Sequence, residues 1–83
     1  MSDYRVVLTP REYEVYKFLQ TYQAAQDCLP SPAKTAQHFD ISINTAKTYY
    51  GRLRDSGIIE LNDMLIYRWT RSVHKPIVEK AQK

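Results

Sequence analysis

Apolar and polar positions alternate along this chain with two different periods, and the change of period divides it. From Val15 the apolar residues Val15, Phe18, Leu19 and Tyr22 recur at i, i+3, i+4 and i+7, the stripe of an amphipathic helix. Glu14, Lys17 and Gln20 fall off that stripe. The start of the helix is written in Thr9-Pro10-Arg11-Glu12: Thr9 can accept from the Glu12 amide, Glu12 can reach back to the Thr9 amide, and Pro10 sits where its missing N–H costs nothing. Leu8 and Tyr13 are spaced to staple that first turn. The helix is expected to reach about Gln23, with Ala24 to Leu29 open between helix and loop. Ser31-Pro32 caps a second, shorter helix through about Phe39, with Ala33, Ala36 and Phe39 facing inward. After Asp40-Ile41-Ser42, a third helix is predicted from about Ile43 to Asp55. Its buried stripe is Ala46, Tyr50 and Leu53, and Gly57 is placed to end it in the left-handed conformation.

Beyond Gly57 the pattern becomes that of strands. Ile58 to Leu61 and Leu65 to Trp69 read as a hairpin around an Asn62-Asp63 turn, with Trp69 turned in against the first helix. Tyr4 to Leu8 is β-prone and reads as a strand or an arm. Residues 71–83 are polar and basic; Ile77 to Gln82 suits a helical turn or two, and the rest reads as a mobile tail. The organisation expected is one domain over 1–70 with a tail over 71–83. Its fold class is mainly α with a small β-hairpin, a three-helix winged helix-turn-helix.

Composition narrows the function. The chain has 83 residues and a net charge of +3, unevenly spread. Residues 1–42 carry a net −1, whereas residues 43–83 carry +4. A basic half that holds a helix and a hairpin suits a polyanionic partner. The single cysteine, Cys28, excludes an internal disulfide framework. No basic-then-apolar leader opens the chain and no apolar run is long enough for a membrane, so a cytoplasmic protein is expected.

The third helix carries the chemistry. With Ala46, Tyr50 and Leu53 buried, it presents Asn44, Thr45, Lys47, Thr48, Tyr49 and Arg52, and no acid occurs from Ser42 to Leu53. Short hydrogen-bonding groups near the start of such a helix suit base edges, and cations suit phosphates. Asn44, Thr45 and Thr48 are the candidate base readers. Ser42, Lys47, Arg52 and, on the hairpin, Arg68 are the candidate phosphate contacts, with Arg71 beyond. Tyr49 borders the same face. The hairpin turn bears Asp63, which argues against deep insertion of its tip into a minor groove.

The stretch Leu8-Thr9-Pro10-Arg11-Glu12 through Val15 resembles the opening of the DNA-binding domain of LexA-type repressors. Ile41-Ser42, Asn44-Thr45-Ala46-Lys47, Arg52-Leu53 and Gly57-Ile58-Ile59-Glu60 resemble a pattern common among bacterial winged-helix regulators. The resemblance covers roughly residues 8–69 and implies a bacterial or phage transcriptional regulator that binds double-stranded DNA. Asp40 stands where the family has a turn glycine, Thr35 where it has an aliphatic residue, and Gly51 interrupts the third helix. No protease domain accompanies these residues, so self-cleavage is not implied.

An enzyme is not expected. His38 and His74 lack metal-ligand spacing with Cys28, no glycine-rich phosphate loop occurs, and the carboxylates are scattered singly, so neither metal nor cofactor is expected. His38 reads as a surface residue or a phosphate contact. A domain this small touches few base pairs, so useful affinity calls for a second copy on two half-sites or for a protein partner. Val73, Ile77 and Val78 suit either a homodimer contact or the chain's own core. The competing function is a winged-helix module that docks on a repressor, polymerase or replication protein. No small-molecule substrate or effector is expected.

Overall fold

The computed structural model describes residues 4–70 and 76–81. In these residues three helices and four short strands follow the order β1 (Arg5–Leu8), α1 (Pro10–Gln26), α2 (Pro32–Phe39), α3 (Ile43–Asp55), β2 (Ile59–Leu61), β3 (Tyr67–Trp69) and β4 (Ile77–Lys80). The domain is mostly helical. Arg71, Val73 and His74 lie outside the described residues.

Each helix starts where its cap residue dictates. The Thr9 hydroxyl accepts from the Glu12 amide at 3.2 Å, and the Glu12 carboxylate accepts from the Thr9 amide at 2.9 Å. Ser31 and Ser42 cap α2 and α3 by accepting from the amides of Lys34 and Thr45. Helix α1 continues through Ala24 and Ala25, which favour helix, and stops at Asp27 in the left-handed region with φ 58°. Asp40 does the same for α2 at φ 56°, so the short acid performs the role usually given to glycine. Helix α3 ends through Gly57 at φ 83°. A side chain there would also collide with the Tyr4 hydroxyl.

The core joins all three helices to both sheets. Leu8, Val15, Leu19, Ala46, Tyr50, Leu53 and Ile59 are buried within it. Phe18 is half-buried and packs with His38 and Phe39, its ring stacked on His38 at 4.1 Å between centroids. Trp69 lies over α1 as expected, stacked on Tyr16 at 6.0 Å. On α2 the inward set differs from the expected one. Ala33 is exposed, and Thr35 is fully buried. The reason is a buried relay: the Thr35 hydroxyl lies 2.7 Å from the Tyr50 hydroxyl, which donates to the Pro30 carbonyl at 2.6 Å. The departure from an aliphatic residue at position 35 is matched by a phenol across the helix pair.

Gly51, in contrast, approaches no other element: a Cβ there would meet nothing within 4 Å. Gly51→Ala is therefore expected to raise stability by about 1 kcal/mol, the difference in helix propensity, measured by urea unfolding.

The C-terminal segment corrects the sequence reading. Ile77 to Lys80 form a strand, not a helical turn, and pair in parallel with β1, Arg5 opposite Ile77 and Leu8 opposite Lys80. The strand reading of residues 5–8 holds for the same reason. Val6 and Leu8 point into the core, and Val78 packs against it from β4. Val7 and Ile77 lie exposed on the outer face, beside an Arg5–Glu79 ion pair. A boundary at residue 70 therefore separates two strands of one sheet.

The β2–β3 hairpin is also different at its tip. The strands pair as expected, with Ile59 opposite Trp69 and Leu61 opposite Tyr67. The connection is not a two-residue turn. It runs from Asn62 to Ile66, so Leu65 and Ile66 leave the strand and are exposed with Met64. The Asn62 side chain accepts from the amides of Met64 and Ile66, and the Leu65 amide donates to the Asn62 carbonyl. Leu65 holds φ 61°.

Candidate nucleic-acid interface

Helix α3 is fastened to the scaffold by Ala46, Tyr50 and Leu53, all with no exposed surface. Tyr50 additionally meets Tyr67 of the hairpin edge-on at 4.8 Å. This anchoring sets which residues face outward. Asn44, Lys47 and Thr48 are exposed at the i, i+3, i+4 spacing that places them on one face. Exposed Ile43 stands one turn before Lys47, an apolar neighbour that the sequence pattern assigns to neither face.

The remaining candidates are less free than their sequence suggested. The Ser42 hydroxyl is 2.8 Å from the Thr45 hydroxyl, and Thr45 is half-buried. The Thr48 hydroxyl donates to the Asn44 carbonyl at 3.1 Å, which leaves the Asn44 side chain outside that bond. Tyr49, expected outward, is half-buried and packs against the core.

The two arginines are engaged within the chain. Arg52 donates to the Val7 carbonyl and to Ser56, both at 3.3 Å, with Glu12 at 3.7 Å. It thus ties α3 to β1 and to the start of α1. Arg68 pairs across the hairpin with Glu60 at 2.5 Å. Both are part-exposed, so their pairs are screened by water, yet their charge is already offset locally. Among the described residues Lys47 forms no ion pair, and it is the one cation of the eight candidates with that property. Lys47 also shares a surface groove with Pro30, Pro32, Leu65 and Ile66, so the outward face of α3 adjoins the hairpin tip.

Outside this face the titratable groups stand apart. His38 is exposed, as the surface reading expects, and stacks on Phe18. Cys28 is an exposed free thiol in the loop after α1. Among the described residues no three His, Cys, Asp or Glu side chains gather as metal ligands, and no helix is long and apolar enough to cross a membrane. No family model matches the chain, and no curated protein matches it in sequence.

Proposed function

We propose that this chain is a winged helix-turn-helix protein that binds duplex DNA sequence-specifically as a transcriptional regulator. In this reading α2 and α3 form the helix-turn-helix, α3 enters the major groove and the β2–β3 hairpin is the wing. The observation that carries it is the division of α3 into two faces. One is buried through Ala46, Tyr50 and Leu53, and the other presents Asn44, Lys47 and Thr48, with no acid before Asp55 closes the helix beside Arg54. Asn44 and Thr48 read base edges, with Thr45 beside them. Lys47 and Ser42 hold phosphates, while Arg52 and Arg68 chiefly brace the scaffold. A second copy on an adjacent half-site supplies the affinity that one small domain lacks.

The test is selection from random duplexes at two salt concentrations, followed by titration of the selected site. An enriched motif with steep salt dependence is the expected result, and a palindromic motif would report two copies. Lys47→Ala is expected to weaken binding across sequences and lower the log–log salt slope by about one. Arg52→Ala is expected to leave that slope unchanged. Enrichment of no motif would overturn the reading.

A protein-docking module is the second reading, favoured by Val7 and Ile77, which leave an apolar diagonal on the outer face of β1–β4. Salt-insensitive binding to a protein, with no duplex selected, would support it.

A further inference from the structure

The hairpin tip is the most exposed apolar feature of the described chain. Met64 is 77% exposed, Leu65 75% and Ile66 55%. Three successive large apolar side chains in water gain nothing from burial. Leu65 adds a second anomaly, because its φ of 61° is a region that a leucine enters only at a cost and that glycine or asparagine enters readily. Neither the exposure nor the backbone conformation is explained by stability. Strain held at an exposed position is a mark of function when the surroundings enforce it, and here they do. Asn62 takes the amides of Met64, Leu65 and Ile66 through its side chain and its carbonyl, and its own amide donates to the Ile66 carbonyl at 3.0 Å. The loop is a hydrogen-bonded knuckle in which the amides of Asn62, Met64, Leu65 and Ile66 all donate and whose apolar side chains project.

We propose that Met64, Leu65 and Ile66 form an apolar wedge that enters the minor groove beside the site read by α3 and partly unstacks one base step. This rests on the DNA reading above and extends it. A helix seated in the major groove brings an adjoining hairpin against the neighbouring minor groove, and apolar side chains inserted there kink the duplex. Position and charge choose DNA as the occupant. Leu65 and Ile66 share their groove with Lys47, which forms no ion pair among the described residues. A lone cation at the base of an apolar projection matches a phosphate beside an opened step. The hairpin itself contributes no such attraction, since Arg68 is paired with Glu60 and Asp63 has the sign of the phosphates. Asp63 argues against deep insertion on charge alone, so the apolar side chains are what the tip offers the duplex.

Leu65→Gly isolates the wedge, because glycine accepts the left-handed turn and removes the side chain. The probe is the selected duplex with 2-aminopurine at successive positions flanking the motif. Wild-type protein is expected to raise its fluorescence at one step and to bend the duplex by about 20–90° in a permutation assay. Leu65→Gly is expected to raise the melting temperature by about 4–8 °C while abolishing the fluorescence rise and weakening binding about tenfold, with the selected motif unchanged. Asp63→Asn is expected to tighten binding and keep the fluorescence rise. If wild-type protein binds its motif and no 2-aminopurine position brightens, the wedge is overturned and the DNA reading stands. If no duplex is bound, both fall. Loss of binding to a protein partner in Leu65→Gly, with DNA binding intact, would assign the tip to that partner and overturn the wedge.

Discussion

Leu53→Ala is expected to destabilise the protein by about 2–5 kcal/mol, the usual cost of emptying a leucine site in a closed core. Leu53 has no exposed surface and belongs to the cluster that joins α3 to Leu8, Leu19 and Ile59. Its carbonyl also accepts from the Ile58 amide at 3.0 Å, where the chain leaves α3 for β2. A domain of this size holds about 5–15 kcal/mol in total, and each kcal/mol lowers its melting temperature by about 4–8 °C. A fall of roughly 8–40 °C in a thermal scan follows. On the proposed function, any loss of DNA affinity should vanish at low temperature, where the variant is still folded, since Leu53 lies on the buried face of α3 and Asn44, Lys47 and Thr48 on the exposed one.

Tyr50→Phe is expected to cost about 1–3 kcal/mol, although it removes a single oxygen. The ring still fills its site. What is lost is the centre of the relay from Thr35 through the Tyr50 hydroxyl to the Pro30 carbonyl. Two buried polar groups, one on α2 and one in the segment before it, then have no partner. Thr35→Val in the Tyr50→Phe background should recover part of the loss, because it removes one of the two orphans. Alkaline pH supplies an independent check. Burial pushes the Tyr50 phenol up to about 12; its bond to Thr35 opposes that shift, and Tyr67 and Tyr22 add to it. An unfolded tyrosine ionises near pH 10, so wild-type stability is fully present below that pH and is lost as pH rises toward about 12. The phenylalanine variant lacks this component, and its deficit should narrow over that interval. Urea midpoints recorded from pH 8 to 12 would test it.

Local signals made the helices legible from sequence. Thr9, Ser31 and Ser42 announce their helices by chemistry contained within one turn, and the stripe of Ala46, Tyr50 and Leu53 follows from the helical period alone. Asp40 was readable as the turn residue for the same reason. What escaped depends on residues distant in sequence. Thr35 reads only as a departure from an aliphatic residue, with no visible partner until Tyr50 is brought to it. Arg52 and Arg68 read as free cations until Glu12, Val7 and Glu60 are placed beside them. Ile77-Val78 followed by two charges fits a helical turn as well as a strand, and only the neighbouring β1 decides it. At the hairpin, the apolar run Met64 to Tyr67 has the composition of a strand; the side-chain bonds of Asn62 turn its first three residues outward. The candidate face of α3 was therefore legible in outline, and its charge was not.

The parallel pairing of β1 with β4 also sets an order of events. Arg5 and Glu79 meet across 74 positions of the chain, so this sheet closes the longest loop the described residues contain. Most of the entropy of that closure must be spent before any of its hydrogen bonds form. Helices α1 to α3 and the hairpin, whose partners are nearer in sequence, can assemble without it. The strands that begin and end the described fold can then join after the rest, so loosening β4 is expected to speed unfolding more than it slows folding.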